Sequence, residues 1–247
     1  MKKQNTIMLP SLREKETDLP VIDGDLMEEL KILMQHSQAF QEMEMMYACA
    51  IREVRTKAEV LNHEMSVRYH RNPISNISAR VKSPESIAQK LVKKGLPFTV
   101  EAIMANLSDV AGVRIICEFI DDIYTIAAML AMQDDLKLIK IKDYIKYPKP
   151  NGYRSYHMIV EIPVFFSKGK TPMRVEIQIR TIAMDFWASL DHELKYKKNI
   201  NSEDEEIIAR ELLSCADRIA DTDMIMQQIR MKLDAVEEDK EKAEIVV

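Results

Sequence analysis

Glycine is scarce here: five in 247 residues. That argues against a loop-rich or repetitive β architecture, whose turns and bulges draw on glycine. Cysteine is scarcer still. Cys49, Cys117 and Cys215 are widely separated and odd in number, which excludes a disulfide framework or a zinc motif and makes buried thiols in a reducing compartment the expectation. No apolar run approaches the roughly 18 residues that a membrane span requires. The opening Met-Lys-Lys-Gln-Asn-Thr-Ile-Met-Leu-Pro has neither a long apolar segment nor a small-residue cleavage site, so no secretory signal is expected, no membrane partner, and a cytoplasmic location. Internal repeats and low-complexity tracts are absent. The histidines at 36, 63, 70, 157 and 192 show no metal-ligand spacing.

What is present suits a soluble globular protein: 47% apolar and 30% charged residues, in a chain long enough for one principal domain with helical additions. The net charge of −5 is unevenly spread. Residues 201–247 hold 14 acidic and 6 basic side chains, a net of −8, which leaves +3 for residues 1–200. Within that part, residues 80–94 carry Arg80, Lys82, Lys90, Lys93 and Lys94 against Glu85 alone. Such a local excess suits a polyanionic ligand.

Residues 1–24 contain Pro10, Pro20 and Gly24 without a sustained period and read as a loosely ordered tail. From 25 to 72 apolar residues (Leu26, Leu30, Leu33, Met34, then Ile51, Val54, Ala58 and Leu61) recur at helical spacing, giving one or two helices that stop at Pro73. Ser83-Pro84 starts a further helix, as cap and first residue, which Gly95 and Pro97 end. Strands are expected at 113–119, 136–141, 158–164 and 173–180, the last two joined as a hairpin through Gly169-Lys170, with helices near 122–132 and 182–194. Alternating strands and helices around one principal sheet make the class α+β or α/β. A long amphipathic helix over 202–238, or two broken near Asp221–Asp223, carries a stripe of Ile208, Leu212, Cys215, Ile219, Met226, Ile229, Leu233 and Val236. It packs on the core or on another subunit.

Three stretches carry the chemistry. Arg174-Val-Glu-Ile-Gln-Ile-Arg180 alternates strictly, so Arg174, Glu176, Gln178 and Arg180 share one strand face. An ordinary solvent-facing strand would look the same. Beside it stand Arg80-Val-Lys82 and Asn151-Gly-Tyr-Arg-Ser-Tyr-His157, and the three together suggest a sheet whose polar face handles phosphates and a nucleobase. Asp109 at a strand entry and Glu176 on a neighbouring strand form the carboxylate pair that Mg²⁺ uses with substrate phosphates. Asp109 as a structural cap paired with Arg114 is the plainer alternative. Glu176 can also act as general base toward a ribose hydroxyl. Tyr153, after a turn-forming Asn-Gly, can stack on a purine, and His157 can reach a phosphate or simply pack.

In order and spacing, Arg80-Val-Lys82, Ser86, Lys90, Ser-Asp109-Val-Ala-Gly-Val-Arg114, Lys149-Pro-Asn-Gly-Tyr153-Arg-Ser-Tyr-His157, Glu176-Ile-Gln178-Ile-Arg180, Trp187-Ala-Ser-Leu and His192-Glu-Leu-Lys-Tyr-Lys resemble the synthetase domain of Rel/SpoT-type alarmone enzymes. The likeness covers about residues 70–200 and is nearest to small synthetases of the RelP type. It implies an α+β, nucleotidyltransferase-like mixed sheet flanked by helices, with N- and C-terminal helical extensions and a catalytic domain at 73–200. The implied reaction moves pyrophosphate from ATP to the 3′-hydroxyl of GDP or GTP, with Mg²⁺ as cofactor. The resemblance assigns Arg80, Lys82, Ser86, Lys90, Lys93 and Arg114 to ATP, and Asp109 and Glu176 to the metal. Lys149, Tyr153, His157, Gln178 and Asp185 fall to GDP or GTP. No His-Asp dipeptide exists, so the hydrolase activity of longer relatives is not expected. The Phe that the RelQ-type branch places before the Arg-x-Lys motif, as part of an alarmone site between subunits, is missing from Asn76-Ile-Ser-Ala-Arg80, which disfavours product activation there. The acidic region 201–247 resembles the helices through which small synthetases form tetramers. A catalytically silent nucleotide- or RNA-binding module, and a pyrophosphotransferase with another purine acceptor, are the competing readings.

Overall fold

A computed structural model describes residues 37–196 and 202–245. The expected tail and the first part of the expected helical region, residues 25–36, lie outside these. Helix α1, Gln38–Tyr69, follows from 32 residues without Gly or Pro. It buries Phe40, Met43, Tyr47, Ala50, Val54, Ala58, Leu61 and Met65 at steps of three and four, the stripe an α-helix needs to lie along a core. His70, left-handed at φ 52°, closes it. Strand β1 (Ile74–Val81) leads to helix α2 (Pro84–Lys93) and the short helix α3 (Val100–Asn106). Strand β2 (Ala111–Cys117), helix α4 (Ile120–Ala131), strand β3 (Lys137–Asp143), and the hairpin of β4 (Tyr156–Phe166) and β5 (Gly169–Thr181) complete the centre. Helices α5 (Ile182–Tyr196) and α6 (Ser202–Ile245) follow.

The five strands form one mixed sheet in the order β1-β2-β5-β4-β3. Only β2 and β5 run parallel; the other neighbours are antiparallel. Helices α1 and α4 cover one face, where Val113, Ile115, Met158, Val160, Val175, Ile177 and Ile179 are buried. This is the α+β class with a mixed, helix-flanked sheet that the residues and the resemblance implied.

The Ser83 hydroxyl accepts the Ser86 N–H at 3.3 Å, with Pro84 at the first turn and Gly95 at φ 62° past the end, as the sequence predicts for α2. Two elements escaped the reading. β1 is an edge strand with only Ile74 buried, so it shows no apolar alternation. α3 has seven residues, too few to set up a period, though its Thr99 cap accepts from Ala102 N at 3.2 Å. The hairpin turn falls at Ser167-Lys168, since Gly169 already pairs with Phe166.

The C-terminal helix differs more. No break occurs at Asp221–Asp223: α6 runs unbroken, Thr222 bonding back to Arg218 O at 2.9 Å. The buried Asp223 is a docking residue, accepting from Thr181 Oγ1 at 2.5 Å. Cys215 is exposed rather than buried, because Ala216 takes the inward position. Beyond Asp223 the predicted stripe turns outward. Met226, Ile229, Leu233 and Val236 are exposed while Arg230 reaches inward to Asp121 at 2.7 Å.

Candidate active site

Strand register assembles the site. Arg80 lies opposite Gly112, and Ser78 opposite Arg114. Gly112 lies opposite Glu176, and Arg114 opposite Gln178. His157 faces Gln178 in turn, and Lys142 faces His157. Directly paired residues point to the same side of a sheet. Arg80, Arg114, Glu176, Gln178, His157 and Lys142 therefore form one polar row on the face away from α1. The row floors an open cleft of about 310 Å³, lined by Ser78, Arg80, Lys82, Asp109, Gly112, Arg114, Glu176 and Gln178 among others.

At one end of the cleft, Asp109 sits in the turn between α3 and β2. One of its carboxylate oxygens accepts from Lys82 Nζ at 2.7 Å and also from Lys90 Nζ. Burial pushes this carboxyl up, but the two ammonium groups outweigh it and hold it below the ordinary range. Asp109 thus stays ionised, and its partners are the lysines of the basic segment rather than Arg114. Arg114 pairs with Asp185 at 3.1 Å. Burial and the neighbouring Arg180 lower its affinity for a proton, against the pull of Asp185.

At the centre, Glu176 accepts from Gln178 Nε2 at 2.8 Å and lies 3.4 Å from His157 Nδ1. Burial raises its carboxyl, and the bonds from His157 and Gln178 more than reverse that, leaving it below the ordinary carboxylate value. His157 is 7% exposed; its Nε2 is 2.9 Å from the Tyr153 hydroxyl. That hydroxyl accepts from Arg180 Nη2 at 2.5 Å, and Arg180 also donates to Asp185 at 3.0 Å and to Gln178 Oε1 at 2.9 Å. The chain Glu176–His157–Tyr153–Arg180–Asp185–Arg114 is continuous.

The loop 149–155 brings in the acceptor-side candidates. Gly152 N–H bonds to Lys149 O at 2.8 Å, and Tyr153 N–H to Asn151 Oδ1 at 3.3 Å, a side chain mimicking a backbone turn. Lys149 Nζ stands 4.6 Å from the Tyr153 ring centroid and 4.8 Å from that of Tyr144, a cation–π arrangement. Burial and the charge of Lys142 lower its basicity.

Of the residues singled out in the sequence, Arg80, Lys82, Lys90, Asp109, Arg114, Glu176, Gln178, His157, Tyr153, Lys149 and Asp185 thus converge on one face. Ser86 and Lys93 stand on α2 outside the lining of the cleft, the Ser86 hydroxyl accepting from Ser83 Oγ at 3.0 Å and Lys93 exposed. The reading missed Ser78 and Gly112 on the cleft floor, and the Tyr144 ring packed edge-on against His157 and Tyr153. Arg180 continues the row on the strand face that the alternation gives it, opposite Ile116; Ser78 lies on the unrecognised strand.

The profile of a family described as the region found in RelA / SpoT proteins matches residues 79–201. GTP pyrophosphokinase YwaC of Bacillus subtilis is 44% identical over 173 residues, 70% of this chain and 81% of that protein. GTP pyrophosphokinase YjbM of the same organism is 37% identical over 155 residues, 63% of this chain and 72% of that protein. The crystal structure of small alarmone synthetase 1 from B. subtilis bound to its product pppGpp superposes with a TM-score of 0.71 at 32% identity. It covers 79% of this chain and 98% of that one.

Proposed function

The chain belongs to the RelA/SpoT family and is a GTP pyrophosphokinase of the small alarmone synthetase kind, and from that premise we propose how its cleft works. Pyrophosphate passes from ATP to the ribose 3′-hydroxyl of GDP or GTP. The new bond joins the 3′-oxygen to the β-phosphorus, the bond from that phosphorus to the bridging α-phosphate oxygen breaks, and AMP leaves. The observation that carries this reading is that Asp109 and Glu176, on separate elements, line one cleft together with Arg80, Lys82 and Arg114. A site that only held polyanions would have little use for two ionised carboxylates.

The donor set fits Mg²⁺. Both acids are held ionised, and among the described residues no group of three or more His, Cys, Asp or Glu could cage a metal alone. One or two carboxylates completed by substrate phosphates is the arrangement this ion favours. Asp109 and Glu176 would hold it, and when bound it neutralises phosphate charge and orients the transferring group. Lys82 and Lys90 are bound to Asp109 in the free protein and turn to the ATP phosphates as these arrive. Arg80 and Arg114 hold the donor. Tyr153 stacks on guanine, with Lys149, Gln178, His157 and the Asp185-tethered Arg180 seating the acceptor. Glu176, next to the 3′-hydroxyl, accepts its hydrogen bond and its proton. Transfer of this kind relies mainly on position and charge, and cations outnumber acids here accordingly. Lys94 donates to Asn106 O, which takes one cation from the basic face an RNA-binding reading needs.

The test is direct. Protein incubated with ATP and Mg²⁺ and, in parallel, GMP, GDP or GTP should release AMP together with a 3′-pyrophosphorylated guanosine nucleotide. ADP, or no nucleotide product with any acceptor, would defeat the assignment. Gly112 offers a steric check on the donor end. A Cβ there would meet only Arg80 O, at 3.8 Å, so Gly112→Ala should keep the fold and most activity. Gly112→Leu, reaching into the cleft, should raise the ATP KM about tenfold or more, equivalent to about 1.4 kcal/mol. An unchanged KM would mean that ATP lies elsewhere.

We further read 73–200 as the catalytic unit, 25–72 as a helical region that backs the sheet, and 201–247 as the assembling region, with a homotetramer as the expected state. Support comes from Ile225, Met226, Ile229, Leu233 and Val236, exposed apolar residues that share one face of α6, since contiguous exposed apolar surface usually marks an interface. Ile229→Asp combined with Met226→Asp should convert the oligomer to monomers in light scattering; an unaltered mass would refute that role. No helix among the described residues is long and apolar enough to cross a membrane, in keeping with a cytoplasmic enzyme.

A further inference from the structure

We propose that helix α6 forms the back wall of the acceptor site, with Arg154 as the positioning residue that ties the Tyr153 loop to it. This rests on the reading of that loop as the guanine-binding one. Three contacts carry the inference.

Gly152 is the first. At φ +87° it holds a conformation that side-chain-bearing residues rarely adopt. A Cβ there would meet Ala216 Cβ at 2.5 Å and Leu213 Cδ1 at 3.2 Å. The loop backbone is therefore pressed onto α6 with no room for a side chain between them. The second contact is Arg154. Its guanidinium donates to Gly152 O at 3.1 Å, to Ala216 O at 3.3 Å and to Asp217 Oδ1 at 3.1 Å. One side chain thus bonds the loop and the helix together. A helix carbonyl has a second lone pair free for such a bond, and the planar guanidinium fork holds several acceptors at once. The third lies at the end of β5. Thr181, next to Arg180, donates to the buried Asp223 at 2.5 Å.

α6 therefore supports both members of the Tyr153–Arg180 pair, behind Gly152 on one side and behind Thr181 on the other. In the run Gly152-Tyr153-Arg154, the glycine allows the approach, the tyrosine faces the site, and the arginine fastens the loop. Arg154 touches no group in the cleft, so its effect on acceptor binding is indirect. Beyond Asp223 the same helix carries exposed apolar residues, and a perturbation of α6 reaches the acceptor loop through Gly152 and Arg154 and the end of β5 through Thr181.

Arg154→Ala, Arg154→Lys and Asp217→Ala test this in the full-length protein. Losing charge-assisted bonds of this kind is expected to raise the GDP KM about tenfold in Arg154→Ala, with the ATP KM within about twofold. Lysine should restore part of the loss, and Asp217→Ala, which removes one of the three acceptors, should give about a threefold rise. Independently of turnover, amide hydrogen exchange across residues 151–154 of ligand-free Arg154→Ala should speed by about the same tenfold factor. Unchanged exchange and unchanged GDP KM would overturn the proposal, as would an equal rise in both KM values. Should Arg154→Ala fail to melt cooperatively, the Asp217→Ala comparison decides by the same two readouts. A wild-type protein that does not use GDP would refute the acceptor reading alone, while the exchange measurement would still decide whether α6 holds the loop.

Discussion

Glu176→Gln is expected to lower kcat for pyrophosphate transfer by about a thousandfold, within the range lost when a positioned general base is removed. The fold and ATP binding should change little. Glutamine preserves shape and can still accept from Gln178 Nε2, which donates to Glu176 at 2.8 Å. What it lacks is the charge and the capacity to take a proton. AMP release at saturating ATP and GDP measures the effect, and a loss below tenfold would leave neither the base nor the metal role standing. The pH profile separates the two roles. In the free protein, burial is outweighed by the bonds from His157 and Gln178, so the Glu176 carboxyl lies below its usual value, about 4.3 for an unperturbed glutamate. Such a group is a weak base near neutral pH. Triphosphate in the cleft adds negative charge beside it and raises that value. The acid limb of kcat/KM, which reports the free enzyme, should therefore fall at lower pH than the acid limb of kcat, which reports the complex. Coincident limbs would favour metal binding alone.

The alternation Arg174-Val-Glu-Ile-Gln-Ile-Arg180 exposed this site in the sequence because β5 is central, with one face buried and one polar. Period-two patterning is strongest where the two sides of a strand differ most. β1 brings Ser78 and Arg80 to the same row, yet as an edge strand it buries little and carries no such contrast, so Arg80 was found through its charge and Ser78 was not found. α6 misled for a related reason. Its apolar stripe was visible, but nothing local reveals that Ala216, Asp223 and Arg230 face the domain while Ile229 and Leu233 face outward. Only the packing against Gly152, Thr181 and Asp121 decides that. Likewise, Asp109 and Arg114 sit five residues apart and look like partners, whereas the fold gives Asp109 to Lys82 and Lys90 and Arg114 to Asp185. Partnerships across the sheet depend on strand order, which spacing does not encode.

Asp109→Asn should be the second most damaging change, lowering kcat by about a hundredfold or more, as loss of a charge that stabilises phosphoryl transfer does. Its signature is in the metal dependence. In the free protein two ammonium groups share one Asp109 oxygen, so a carboxylate with cations already beside it awaits the donor. When ATP arrives the lysines gain phosphate oxygens, and the carboxylate gains a cation in exchange; charge is traded rather than newly buried. Asparagine removes one side of the trade. With Mg²⁺ absent, ATP binding should hold within about threefold or tighten, because Lys82 and Lys90 no longer have to leave a carboxylate. With Mg²⁺ added, the tightening seen in the wild type should be lost. Stability should fall by about 2 kcal/mol, the worth of hydrogen bonds to a charged group, since the Lys82 and Asp109 side chains are only 20% and 19% exposed. Isothermal titration with and without Mg²⁺, beside a thermal melt, reads all three quantities. An Asp109→Asn protein whose Mg²⁺ response matches the wild type would place the metal elsewhere and reduce Asp109 to a tether for the basic helix.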